Sequence, residues 1–370
     1  MTKSLGTHMV DRRQFIKTAG AAGVAGMAGV SGCMGGGSGT TVSILTWTGY
    51  DDVNDQVEET LGDVTLDVSI ADGSANMFST VNAGGGEEYD IVIPNNEYVP
   101  RFIEADLAAP VDMDVVSNFD TLYPTFQSAA EGQFADGGDV YGLPVQFGWY
   151  AYGYDTSVLP EDHEHSYDVL FSEEYEGVDL TGGITLYDGY YKSIMAAGLA
   201  LGYTDAFEGD TVSFTDEQLT SIEETLIDFK PNLLGFVHDE ETLTQDYQNG
   251  NVVVSYANRS THVGIMNDVE NVAFSQPAEE ELTWFEGAVV TAGSSNKEAA
   301  FRVLNEYLDP EIGAALSETR NIMNTSQAAM DTIETPSLQI EPGVLEGMIP
   351  FKPAEQDAAW IEMFERVKNA

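Results

Sequence analysis

Six short stretches of this chain place polar, charged and aromatic side chains at the ends of, or within, runs of strand length. They are Trp47-Thr48-Gly49-Tyr50, Asn95-Asn96-Glu97, Gln146-Phe147, Asp188 with Lys192 about one helical turn beyond it, Asn258-Arg259, and Trp284-Phe285-Glu286. Carboxylates hold ammonium groups through charge-assisted hydrogen bonds, and aromatic faces hold them through the ring quadrupole. A guanidinium grips a carboxylate or phosphonate bidentately. The set therefore has the chemistry of charged-solute binding. Catalytic patterns are missing: there is no Gly-x-Ser-x-Gly elbow, no phosphate loop and no Cys/His nucleophile pair. Acids are so numerous that no carboxylate pair is diagnostic. His163 and His165 are spaced to reach one metal, but they sit in an acidic loop with no Cys nearby. Solvated loop histidines are the expectation there, with no metal and no cofactor.

The chain holds 62 Asp and Glu against 14 Lys and Arg among 370 residues, a formal charge of −48. Its 43% hydrophobic content is enough for a real core, which excludes a disordered acidic tail. Such a field repels phosphates, so nucleic acid is excluded as a partner. Self-repulsion on this scale is relieved by salt, and the composition reads as that of a protein built for very salty water.

The N-terminus reads as an address. Asp11-Arg12-Arg13-Gln14-Phe15-Ile16-Lys17 precedes a short run rich in Ala, Gly and Val that ends Val30-Ser31-Gly32-Cys33. The charged head and short apolar run are those of a secretion signal. The paired arginines resemble a twin-arginine signal, and the run before Cys33 resembles a lipobox. Residues 1–32 are expected to be removed, with Cys33 lipidated and residues 33–40 serving as a Gly/Ser tether. Cys33 is the only cysteine, so no disulfide competes for it. Removing residues 1–32 leaves 61 acids against 10 bases, so each remaining base is worth examining singly.

Strands and helices alternate along the rest. Val42–Trp47, Val64–Ile70 and Tyr89–Ile93 read as strands, with helices expected over 52–61, around 77–81 and over 97–105. A second set has strands at 183–187 and 252–256 and helices at 190–201 and 217–229. A third has a strand at 284–291 and helices at 296–308 and 358–367. Repeated β-α units imply parallel sheets flanked by helices, with ligands beyond the carboxyl ends of the strands. Two such lobes make the cleft between them the natural site.

Four ordered stretches carry a family resemblance: Leu45–Tyr50, Tyr89–Pro94, Tyr141–Gly148 and Asn296–Ala300. Following a lipoprotein signal, they resemble the substrate-binding proteins of ABC importers, of the spermidine and putrescine type, and the whole resembles haloarchaeal exported lipoproteins. The resemblance implies an α/β, two-lobed, type II periplasmic-binding-protein-like fold. Lobe 1 is expected over 41–146 and 276–309, and lobe 2 over 147–275 and 310–370. Crossings are expected near 146–152, 271–277 and 309–314. The implied partners are a small-molecule ligand, an ABC permease with its cytoplasmic ATPase, and the outer face of the cell membrane through the lipid anchor. A monomer is expected.

By resemblance, Trp47 and Tyr50 match positions that pack on the ligand, while Asp188 and Glu286 stand at acidic positions. Thr48, Asn95, Gln146, Phe147 and Trp284 complete the expected set. Glu97 stands where an aromatic is usual, Lys192 where a second acid is usual, and Arg259 near a usual Trp and Asp. An amine-bearing solute is the expected ligand, polyamine by default. A zwitterion is the alternative if Lys192 and Arg259 face the ligand, and internal ion pairs with Asp188 or Glu286 if they do not. A sensory receptor for a chemotaxis transducer is a second alternative, and an anchored hydrolase using Asp188 and Glu286 a remote third.

Overall fold

The computed structural model describes residues 39–237, 239–279, 281–340 and 344–370. The expected signal, Cys33 and most of the tether lie outside the described residues. Gly39–Ala370 make up one unit, built around a central sheet.

Strand β1 (Thr40–Thr46), helix α1 (Asn54–Leu61), β2 (Val64–Ile70), α2 (Ser74–Asn82), β3 (Ile91–Val92) and α3 (Val99–Glu104) form the first run. Helix α4 (Pro124–Gln133) then leads to the long β4 (Leu143–Asp155). The second run holds β5 (Ile184–Tyr187), α5 (Tyr190–Ala200), α6 (Asp216–Phe229), β6 (Leu233–Val237), α7 (Glu240–Gln248), β7 (Val254–Asn258), α8 (Arg259–Asp268) and β8 (Val272–Phe274). The chain returns through β9 (Glu281–Val290), α9 (Lys297–Tyr307), α10 (Pro310–Arg320), β10 (Met323–Asn324), α11 (Gln327–Met330), β11 (Met348–Pro350) and α12 (Asp357–Asn369).

The two parallel halves are not separate sheets. β1 pairs in parallel with β2 and β3, and β5 with β6 and β7. Two long strands, β4 and β9, join the halves and run antiparallel to each other. β7 lies antiparallel to β4, and β3 antiparallel to β9. The result is one mixed sheet in the order β6-β5-β7-β4-β9-β3-β1-β2. Every residue of β4 and β9 is buried, as strands covered on both faces must be.

The core follows this division. Tyr152, Ile184, Ile194, Leu226 and Trp360 pack in lobe 2; Val42, Ile44, Val57, Leu304 and Leu316 pack in lobe 1. A further lobe 1 cluster joins Leu45 and Val92 to Phe102, Phe147, Phe285, Met323 and Met330. Residues 310–330, expected with lobe 2, therefore pack with lobe 1. The turn at Asp309 is a helix N-cap rather than a crossing, its side chain accepting from the Glu311 and Ile312 amides. The expected crossing at 146–152 is β4. The one at 271–277 is displaced to β9, because β8 stays in lobe 2 and pairs with β4.

Candidate functional site

A cavity of about 310 Å³ lies where the two lobes face each other. Lobe 1 lines it from the ends of its strands: Trp47 after β1, Asp72 to Ala75 after β2, and Asn95, Glu97 and Tyr98 after β3, with Arg101 on α3. Lobe 2 contributes Tyr150 from β4, Tyr187 at the end of β5, Tyr190, Tyr191 and Lys192 from the first turn of α5, and Pro353, Ala354 and Asp357 around the start of α12. The parallel strands β1, β2, β3 and β5 point their carboxyl ends at this space, as parallel α/β folds dictate.

Glu97 is the buried acid of the cavity. It is 8% exposed, and its Oε2 has no hydrogen-bond partner among the described residues. Burial pushes its carboxyl above the ordinary range, and the Lys192 ammonium pulls it partway back. Lys192 Nζ stands 5.8 Å from the ring centroids of Tyr150, Tyr187 and Phe351 alike. It has no ion pair or hydrogen bond among the described residues. The Trp47 indole Nε1 is likewise buried without a partner. Asp357 is already engaged: Arg101 Nη2 lies 3.1 Å from it and Tyr190 Oη donates to it at 2.6 Å, tying lobe 1 to lobe 2 beside the cavity. Asn96 adds a second tie, its Nδ2 donating to the Phe351 carbonyl at 2.6 Å.

Of the twelve sequence-derived positions, the structure brings Trp47, Asn95, Glu97 and Lys192 together in this cavity. Phe147 is a core residue against Phe126 and Trp149. Trp284 is buried against Gly148, its Nε1 donating to Asn258 Oδ1 at 3.2 Å. Asp188 lies at the surface, with Lys368 Nζ 3.8 Å away. Tyr50, Gln146 and Glu286 form a separate buried group around Arg320, a residue that no sequence pattern singled out, with the exposed Thr48 at its edge. Arg320 Nη1 and Nη2 each donate to Glu286 at 2.9 Å, Nη1 also reaches Gln146 Oε1, and Nε donates to the Thr48 carbonyl at 3.1 Å. The guanidinium lies 4.5 Å over the Tyr50 ring, and Tyr50 Oη donates to Glu286 at 2.5 Å. The internal ion pair anticipated for Glu286 exists, but its base is Arg320.

Arg259 lies in a different cavity, of about 820 Å³, with Trp149, Met266, Phe274 and Gln339. Its guanidinium is 5.0 Å over the Trp149 ring, its Nη1 has no partner among the described residues, and burial lowers its pKa to about 10. This cavity is larger, but no carboxylate is among its described lining residues, so those residues offer an amine no counter-charge. His163 is not a solvated loop residue. It is 3% exposed and within 2.8 Å of Tyr152 Oη. No group of three or more potential ligands for a metal occurs among the described residues. Asn324, a sequon asparagine, is fully buried with Nδ2 donating to Tyr307 and Gly313 carbonyls, which closes it to a glycan. No helix among the described residues is long and apolar enough to cross a membrane.

Two α/β lobes joined by shared strands, with a polar and aromatic cavity between them, define a two-lobed solute receptor. Residues 54–341 match the bacterial extracellular solute-binding protein family, and the chain belongs to it. A putrescine/agmatine-binding protein of Pseudomonas aeruginosa is 23% identical over 303 residues, covering 77% of this chain and 80% of that one. The putrescine-binding periplasmic protein of Escherichia coli is 22% identical over 318 residues, covering 82% of each. Among solved structures, a spermidine/putrescine ABC transporter substrate-binding protein of Streptococcus pneumoniae superposes with a TM-score of 0.74 at 19% identity, over 89% of this chain and 99% of that one. A binding protein of A. tumefaciens in complex with glucopine gives 0.65 at 16% identity, over 89% and 100%.

Proposed function

We propose that the protein captures a small amine-bearing solute between its lobes and delivers it to an ABC permease driven by a cytoplasmic ATPase. The observation that carries this reading is Glu97: a buried carboxylate with an unpartnered oxygen, in a cavity walled by Trp47, Tyr98, Tyr150, Tyr187, Tyr190 and Tyr191. An ammonium there gains a charge-assisted hydrogen bond and aromatic faces along its stem. Relatives named for binding putrescine support the same class of ligand. Closure about β4 and β9 buries the solute with contacts that the separated lobes lack, which is how a hinge gains affinity. The protein works as a monomer on the outer face of the membrane, exported by the twin-arginine route and held by lipid on Cys33. The Arg12-Arg13 pair and the Val30–Cys33 run support that address, and the acidic composition supports very salty surroundings.

Thermal-shift screening in molar potassium chloride tests the ligand class, with mono- and diamines, amino acids and aminophosphonates as probes. Stabilisation by amines supports the reading. Stabilisation by amino acids or aminophosphonates alone would sink it.

A further inference from the structure

We infer that Arg320 is a built-in cation that fills one of two neighbouring carboxylate sites, so that the cleft selects a solute with one ammonium end and a neutral, hydrogen-bond-accepting tail. The inference rests on the amine-binding reading. Glu286, the Tyr50 ring, Gln146 Oε1 and the Thr48 carbonyl form a cage with the chemistry of a cation receptor: a carboxylate, an aromatic face and two neutral acceptors. That cage adjoins the cleft. Thr48 follows Trp47, and Asn95 forms a β-bridge with Glu286, while Trp47 and Asn95 both line the cavity. Its occupant is the chain's own guanidinium. The Arg320 and Glu286 side chains are only 7% and 2% exposed, and the pair is bidentate. Gly49 makes the fit possible: it holds φ +91°, and a Cβ there would come within 2.9 Å of Arg320 Cγ.

The charge balance of the cleft then sets the number of cations it accepts. Its described lining residues carry the carboxylates of Asp72, Glu97 and Asp357 and the bases Arg101 and Lys192, a formal balance of one negative charge among them. One ammonium neutralises it. A diamine leaves a buried positive charge without a counter-charge, beside Lys192. The unpartnered Trp47 Nε1 adds a directional preference, because an indole N–H needs an acceptor and an ammonium offers none.

The test compares two isosteric probes, 4-aminobutan-1-ol and putrescine, by calorimetry in molar potassium chloride. The wild-type protein should bind the amino alcohol at least tenfold more tightly than the diamine. Arg320→Met frees Glu286 and should reverse that order. Arg320→Met with Glu286→Gln restores the charge balance and should return the wild-type preference. If Arg320→Met fails to fold, the wild-type ratio and the double variant still decide. Putrescine binding as tightly as the amino alcohol, or tighter, in wild type overturns the inference alone, as does an unchanged ratio in a folded Arg320→Met. Failure of every amine to bind overturns the amine-binding reading and this inference with it.

Discussion

Glu97→Gln separates binding from stability in one substitution. In the wild type, burial has raised the Glu97 carboxyl pKa, so the ionised form strains the solute-free protein at neutral pH. The amide keeps the shape and removes the charge. An ammonium facing it forfeits the charge-assisted part of its hydrogen bond, about 1.5–3 kcal/mol for a bond to a charged group. That corresponds to a loss of roughly 10- to 150-fold in affinity for any amine ligand. The solute-free variant should melt higher than wild type at pH 7. The sign follows from linkage. A carboxyl whose folded pKa lies above its unfolded value binds more protons folded than unfolded between the two. Wild-type stability therefore falls as pH rises from about 4.5 through the raised value. The variant lacks this slope, so its advantage should shrink as pH is lowered through the same window. Wild-type amine affinity should fall over that window as the carboxylate protonates, while the residual affinity of the variant stays flat. Calorimetric titrations from pH 4 to 8, paired with thermal melts of the solute-free proteins, read all of this. Unchanged affinity in a folded Glu97→Gln would refute the assignment of Glu97 as the counter-ion of the solute.

Two other bases give opposite expectations. Arg259→Leu replaces a largely buried cation, unpaired among the described residues, with an apolar side chain that still covers Trp149, so urea titration should find it more stable by about 1 kcal/mol or more. Its amine affinity should not change, and a loss of tenfold would place the solute against Arg259 after all. Lys192→Met removes the charge that holds the Glu97 carboxyl down, so the acid limb of amine binding should move to higher pH. Affinity at pH 8 should rise, because a like charge has left the cleft; a fall there would mean that Lys192 contacts an anionic part of the solute.

Much of the fold was legible in the sequence because its signals are local. The period of Val53, Val57 and Leu61 and the strand-length run from Val42 depend on near neighbours, and the structure has α1 and β1 there. The joining of the lobes was harder, because it depends on pairing between distant segments. Nothing near Asn271 distinguishes a strand that crosses from one that folds back, and β8 folds back onto β4. Trp47, Asn95 and Glu97 were legible as cavity-lining residues because each sits just beyond the carboxyl end of a strand, and Lys192 because it opens the helix after one. Glu286 has a less readable environment. The β4–β9 register shifts between Phe285 and Gly287, so Glu286 sits at an irregularity in the ladder. Such a bulge re-aims a side chain in a way that alternation cannot foretell. Its partner Arg320 ends a helix 34 residues later, and no periodicity links the two.

The basic residues explain which parts of the site the composition could reveal. Among the described residues, Arg101, Arg302, Arg320, Arg366 and Lys368 hold carboxylates, and Lys230, Lys297 and Lys352 donate to backbone carbonyls. A base in so acidic a chain is thus mostly a structural fastener, and rarity alone does not mark a ligand contact. Lys192 and Arg259 stand apart because neither has such a partner among the described residues, and they differ in what surrounds them. Arg259 faces Trp149 in a cavity with no acid among its described lining residues, where its charge is a cost. Lys192 stands among three rings beside the buried acid of the cleft, where its charge counters the rise that burial imposes on Glu97. That makes it a tuning group for the proposed amine site: it lowers a carboxyl pKa that burial raises, and by its own repulsion it penalises a second cation. With Arg320 in the neighbouring cage, it is the second base on which the inferred preference for a single positive charge rests.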